Sequence, residues 1–313
     1  MGRLTILLLA GSLGAADLQY ELSGQILPEG EASVTLYGAT QPFTTSTLTD
    51  ESGRFTFKRL RAATYTVSVF LPGHGEARQT VEVGPGSAGP RRRVMVTLRL
   101  NDEDFDRTAL GRQHAVSRRE LSIPEKAMRE YADAQKDLER HDTVTAEKRL
   151  ERAVELAPQF AVAWNNLGTI AYQTRRFVLA EQRFREALRQ DPGEYEPLVN
   201  LGGVLVTLHK LDEALEVNVH ATLVRPNDAL AQSQLGMAYF EIGNWNDAVR
   251  HLERAQRLDP SHFSHPQLFL AEIHLRRGEK GAAADVMEDF LRHHPDYPQA
   301  EKVRQQIAEW RRP

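Results

Sequence analysis

Pro158, Pro192, Pro226, Pro260 and Pro295 stand 34, 34, 34 and 35 residues apart, and each closes a run whose apolar residues recur at helical spacing. A fixed interval of this size constrains the fold more than any bulk property. A unit of about 34 residues cannot bury its apolar face alone, so it must stack on its neighbours. Laid over one another, the units bring Gly168, Gly202 and Gly236 to one position and Ala180, Ala214 and Ala248 to another. Glycine lets a second helix come close and alanine presents only a methyl, so these positions mark where the two antiparallel helices of a unit touch. Proline cannot donate to the helical ladder and disfavours the helical conformation in the residue before it, so each proline ends a second helix. The expectation is a solenoid of about five helix pairs over residues 127–297. A capping helix over 298–313 follows, with Val303, Ile307 and Trp310 covering the last pair.

Upstream the period changes. Val34 and Leu36, Phe55 and Phe57, Tyr65, Val67, Val69 and Leu71, and Val94, Val96, Leu98 and Leu100 alternate with polar residues, the pattern of half-buried strands. Breakers at Pro28–Gly30, Asp50–Gly53, Pro72-Gly73 and Gly84–Gly86 separate about seven short strands, with weaker ones at Phe43–Thr49 and Gln79–Val83. A small antiparallel β-sandwich over residues 17–100 follows. Residues 101–126 have neither period and read as a linker, with Pro124 in the first turn of a helix starting near Glu125 and Ser122 as its cap.

Each half resembles a known family. Trp164, Leu167 and Gly168, then Ala180, Phe184, Ala187 and Pro192, are similar to the tetratricopeptide pattern W-x₂-L-G, A-x₃-F, A and P. Two further units carry the same register through Leu201, Gly202, Ala214 and Pro226, and through Leu235, Gly236, Tyr239, Ala248 and Pro260. Gly24, Thr49-Asp50, Gly53, Phe55, Phe57, Leu60, Tyr65 and Val67 resemble the carboxypeptidase regulatory-like domain, a transthyretin-like β-sandwich of secreted and envelope proteins, with Ala63 where that family usually has glycine. The chain reads as a multidomain β + α protein, a small antiparallel β-sandwich followed by an α-helical tetratricopeptide solenoid.

The first residues, MGRLTILLLAGSLGAADL, hold one arginine, an apolar core from Leu4 to Ala10 and small residues up to Ala16. This is the form of a secretory signal peptide of residues 1–16, too short to span a bilayer that needs about 20 apolar residues. The expected location is therefore exported: periplasmic or secreted, in a bacterial envelope. With no cysteine the chain has no disulfide, thiolate metal site or thiol nucleophile. A net charge of −4 offers no overall field for nucleic acid, and Arg91–Arg93 and Arg118-Arg119 read as solvated loop charges.

No residue set for catalysis emerges. Gly84–Gly89 matches G-x-G-x-x-G but leads into Pro90 and a strand, so the helix terminus that would bind a pyrophosphate is missing and the segment reads as a loop. His262, His265, His293 and His294 lack spaced carboxylates and read as surface histidines, and zinc-peptidase or serine-hydrolase motifs are absent. No cofactor or metal is expected.

Function then falls to the groove lined by the first helices. The resemblance places positions 2, 5, 9 and 12 of each unit there: Val162, Asn165, Thr169 and Tyr172; Glu196, Val199, Gly203 and Val206; Leu230, Ser233, Met237 and Phe240. Asn166 and Asn200 share one position in successive units, where side-chain amides can hold a peptide backbone, or instead bond helix to helix. The expected role is a non-catalytic adaptor that binds an extended protein or peptide segment. The alternative is an envelope carbohydrate-binding protein acting through the sandwich near Tyr37, Phe43 or His74.

Overall fold

A computed structural model describes residues 18–102, 105–106 and 122–312. The signal-peptide segment, Arg118-Arg119 and most of the linker lie outside the described residues. Ten helices form five antiparallel pairs: α1 (Glu125–Glu139) with α2 (Thr143–Leu156), α3 (Ala161–Gln173) with α4 (Phe177–Gln190), α5 (Tyr195–Thr207) with α6 (Leu211–Val224), α7 (Ala229–Glu241) with α8 (Trp245–Leu258), and α9 (Pro266–Arg276) with α10 (Lys280–His293). Helix α11 (Ala300–Trp310) caps the stack by burying Val303 and Ile307. Each second helix stops two residues before its proline. The intervening residues Ala157, Asp191, Arg225, Asp259 and His294 take extended backbone while still donating N–H to the carbonyl four residues back.

The small residues sit where close approach requires them. A Cβ on Gly168 would lie 2.5 Å from Phe184 Cδ1, on Gly202 2.0 Å from Asn218 Oδ1, and on Gly236 2.7 Å from Leu252 Cγ. Ala180, Ala214 and Ala248 are fully buried. The fifth pair begins late, since a longer turn through His265, at φ 51°, precedes α9. Helix α1 begins at Glu125 as expected, but Ser122 does not cap it: its hydroxyl accepts from Gln159 Nε2 at 3.3 Å.

Seven strands build the sandwich: β1 (Tyr20–Leu27), β2 (Ser33–Gly38), β3 (Thr44–Leu48), β4 (Arg54–Leu60), β5 (Ala63–Leu71), β6 (Gly75–Val83) and β7 (Arg93–Arg99). Sheet β4-β1-β7 packs on sheet β3-β2-β5-β6 around Leu22, Ile26, Leu36, Leu60, Tyr65 and Leu98. One pairing departs from the antiparallel expectation. Strands β1 and β7 are parallel, with Leu22 opposite Val94 and Leu27 opposite Arg99, because the chain crosses to the other sheet and back between them. The Asp50 turn forms as its residues dictate: Oδ1 accepts from Ser52 and Arg54 N–H, both at 2.9 Å, and Gly53 takes φ 70°. The linker's first part belongs to the sandwich, where Phe105 enters the core and Asp106 exchanges backbone bonds with Glu76.

Candidate functional site

The sandwich is docked on the solenoid. Strand alternation puts Arg78, Thr80 and Glu82 on one face of β6, and that face meets the inter-repeat turns one after another. Arg78 donates bidentately to Glu196 at the start of α5, at 2.9 and 2.8 Å, and its Nε donates to Glu76 at 2.8 Å. Thr80 N–H donates to Asp259 Oδ2 at 2.9 Å, and Glu82 Oε1 lies 2.7 Å from His294 Nδ1. Arg225 lies over the Tyr195 ring and pairs with Asp106 at 2.6 Å and Glu196 at 3.2 Å. Three residues that precede repeat-closing prolines, Arg225, Asp259 and His294, thus hold the sandwich. In the sequence this position is charged or titratable in the last four repeats, Asp191 included, and alanine in the first, so it does not by itself mark the three that dock.

The glycine-rich turn after β6 completes the contact. Gly86 N–H donates to Asp296 Oδ1 at 2.6 Å, and a Cβ on Gly84 would lie 2.5 Å from Asp296 Oδ2. The G-x-G-x-x-G stretch is therefore a turn that seats a carboxylate next to the chain's own last repeat, with Gly86 donating to it and Gly84 leaving it room. Burial also corrects the reading of the histidines. His262 is 4% exposed and His294 fully buried, because the turns carrying them lie under the sandwich or pack among Ser264, Phe290 and His265. Burial, reinforced by the charge of His294, pushes the His262 and His265 imidazoles down to about 3, and burial pushes the Asp259 carboxyl up to about 6 against the pull of Thr80. Among the described residues no group of three or more His, Cys, Asp or Glu is arranged to hold a metal ion.

At the other end of the interface a second set of contacts joins the domains. Gln173 Nε2 donates to the Gly38 carbonyl at 2.9 Å and Thr45 donates to Glu139 at 2.9 Å, while His141 stacks on Phe43. Between these contacts and the β6 clamp lies a cleft of about 1050 Å³. Its floor is the inner face of α1, α3 and α5, with Tyr131, Asn165, Asn166, Thr169 and Asn200, and its roof is the sheet face with Thr35, Tyr37, Thr44, Ser46 and Thr66. Tyr37 is 43% exposed, and the cleft is what it lines.

Of the expected groove residues, Asn165, Asn166, Thr169 and Asn200 line this cleft, as do Val162, Glu196 and Leu230 from the same positions. The others do not. Tyr172 bonds weakly to Thr207 at 3.4 Å and stacks edge-on with Phe177; Val199 and Val206 are buried; Gly203 lies under the Gln234 amide. Ser233 shares a hydrogen bond with Ser264 at 2.6 Å, Met237 packs beside α8 and α9, and Phe240 meets Phe269 and the Arg276 guanidinium. First helices of successive late repeats close on one another, so the inner face there is packed. The asparagines bond between helices: Asn166 to Tyr131 at 3.3 Å, and Asn200 to Asn165 Oδ1 at 3.0 Å. Of the residues singled out on the sandwich, Phe43 is buried against Tyr65 and His141, and His74 lies beside Phe105 and Asp102, which leaves Tyr37 facing the cleft.

Comparison with known proteins agrees with this architecture. The profile of the carboxypeptidase regulatory-like domain matches residues 22–99, and that of the tetratricopeptide repeat matches 131–195, 199–263 and 233–300. The chain is 29% identical over 119 residues to the cell division cycle protein 16 homolog of Homo sapiens, covering 35% of this chain and 19% of that protein. It is 31% identical over 134 residues to the ALBINO3-like protein 2, chloroplastic, of Arabidopsis thaliana (37% and 26%), and 29% identical over 161 residues to anaphase-promoting complex subunit 7 of the same plant (50% and 28%). The chain thus spans about a fifth to a quarter of these relatives' length. Among solved structures, PilW, a type IV pilus biogenesis factor, is similar with a TM-score of 0.51 at 19% identity, covering 60% of this chain and 91% of that one. MamA 41-end from Desulfovibrio magneticus RS-1 gives 0.50 at 19% identity, covering 56% and 99%. At such identity the likeness is one of fold. Since the repeat matches cover more than half of its length, the chain belongs to the tetratricopeptide-repeat family, with a carboxypeptidase regulatory-like domain ahead of the repeats.

Proposed function

We propose that the chain is an exported, non-catalytic adaptor that holds an extended segment of another protein in the cleft between the first three repeats and the sandwich. The observation that carries this reading is the cleft itself. Two rigid walls from different domains enclose about 1050 Å³, the upper end of what small-ligand sites enclose, and present amides, hydroxyls and two tyrosine rings. Clamping at both ends pre-organises the walls, which lowers the ordering cost of binding.

Photo-cross-linking amino acids at Thr169 in the floor and Tyr37 in the roof, in the native host, test it. Both positions are expected to capture the same protein, and Leu223, 74% exposed on α6 and not part of the cleft lining, is expected not to. Capture from Leu223 alone, or from neither cleft position, would sink the cleft as the binding site. The hydroxyl-rich lining also suits a glycan, because Thr35, Thr44, Ser46 and Thr66 present hydroxyls beside the Tyr37 ring. Specific retention on a glycan array, lost on Tyr37→Ala, would favour that second reading. Export is tested separately: intact mass of envelope protein is expected to lack residues 1–16, and retention of Met1 would overturn it.

A further inference from the structure

The sandwich is electrically lopsided along its strands. Tyr20 pairs with Leu60 and Glu21 with Arg93, so the end of β4 and the start of β7 flank the start of β1. Strands lie about 4.8 Å apart, which puts the turn after β4 and the turn before β7 about 10 Å from each other. The end of β4 and the turn after it carry Lys58, Arg59 and Arg61, and the turn before β7 carries Arg91 and Arg92, all exposed. In the sequence the two basic groups are thirty residues apart, and only the parallel register of β7 brings them together.

Among the described residues none of these five side chains meets a carboxylate, and the described acids around them are engaged. Glu21 is held by Arg93 at 2.8 Å and by the Ser23 hydroxyl at 3.1 Å, Glu82 by His294, and Asp296 by the Gly86 turn. The nearby His141 is held down by burial and by Arg61. Glu29, Glu31, Asp50 and Glu51 lie at the opposite end of the same strands. Arg59, Arg91 and Arg92 sit at φ 60°, 62° and 56°, so local backbone preference does not account for arginine there.

We infer that this end of the sandwich docks on an anionic phospholipid surface. The chain enters β1 between the two basic groups, where Leu18 is 40% exposed. Each exposed cation close to an anionic leaflet adds to the attraction, and the five are gathered at one end of the sandwich. The five cations lie downstream of residue 16, so the surface is the same whether or not the leader is removed. Among the described residues no α-helix or β-ribbon projects from this blunt end to enter a nucleic-acid groove.

Co-sedimentation of the full chain with phosphatidylcholine vesicles, with and without about one-third phosphatidylglycerol, at about 0.1 M salt, tests this. Binding is expected with the anionic vesicles and not with the neutral ones. Each cation near an anionic leaflet is worth about fivefold, so Arg59→Gly/Arg91→Gly/Arg92→Gly is expected to weaken binding about 100-fold. Glycine accepts these positive φ values without strain, so the variant is expected to unfold at the parent's temperature. Lys148→Gln/Arg152→Gln/Lys302→Gln, which removes as many exposed cations from the solenoid, is expected to bind like the parent. Equal binding to neutral vesicles, a patch variant that binds like the parent, or an equally tight DNA duplex that the same variant loses would each overturn the inference.

Discussion

Gly86→Ala is expected to loosen the sandwich from the last two repeats while leaving both domains folded. Its Cβ would lie 2.8 Å from Asp296 Oδ1 and 3.2 Å from the Pro295 carbonyl carbon, so the carboxylate must swing out and the 2.6 Å bond from Gly86 N–H is lost. A hydrogen bond to a charged group contributes about 1.5–3 kcal/mol, which shifts the docking equilibrium by about 10–150-fold toward the open form. Gly86 is not among the glycines with positive φ, so the methyl adds no backbone strain to the sandwich itself. Native-state hydrogen exchange reads the result at the Thr80 amide, whose acceptor Asp259 belongs to the solenoid. Thr80 is expected to exchange faster by that factor, while the β2–β5 ladder within the sandwich keeps its protection. Unchanged Thr80 exchange would show that the turn and β6 do not dock as one unit. Loss of protection throughout the sandwich would show that Gly86 serves the turn and not the interface.

Ala214→Trp is expected to disrupt the third repeat, since Ala214 is fully buried and overpacking costs about 1–3 kcal/mol or more; an unchanged thermal midpoint would refute the helix register. Gly202→Ala tests the same contact from α5, where the new methyl would meet Asn218 Oδ1 at 2.0 Å, and urea unfolding is expected to move to lower midpoint. Asn166→Ala/Asn200→Ala removes the helix-to-helix bonds to Tyr131 and Asn165, at a cost of about 0.5–1.5 kcal/mol each; a partner found by cross-linking is expected to bind more weakly, and unaltered stability with unaltered binding would refute both roles. Stability is expected to fall on acidification below pH 6.5. His262 and His265 stay neutral in the fold down to about 3 while their unfolded counterparts protonate near 6.5, so their contribution is present above 6.5 and lost progressively below it. Asp259, raised to about 6 by burial, opposes this between about pH 6 and 4, and Asp228, also raised by burial, opposes it in the same sense, so the two histidines act against two carboxylates. A melting temperature that is flat or rising from pH 6.5 to 4, or a His262→Asn/His265→Asn variant with an equally steep decline, would contradict that balance.

Local periodicity is what the sequence by itself determined here. The 34-residue proline interval, the glycine and alanine positions and the period-two strands each report a constraint within one helix pair or one hairpin, and such constraints are written in neighbouring residues. They placed five repeats, a capping helix and seven strands. The parallel pairing of β1 with β7 was not legible, because it joins strands separated by the whole sandwich. Nor was the docking of β6 along the last three repeats. Arg225, Asp259, His294 and Asp296 are polar residues at repeat boundaries, where exposure is the default, and their partners Asp106, Thr80, Glu82 and Gly86 lie more than one hundred residues away. Only when β6 is laid across the turns do these charges become buried pairs, the glycine loop become a seat for a carboxylate, and seven of the expected groove residues come to line a cleft with a second wall. Tertiary structure decided the site because its walls come from two domains, and no periodicity within either one encodes how their polar faces meet.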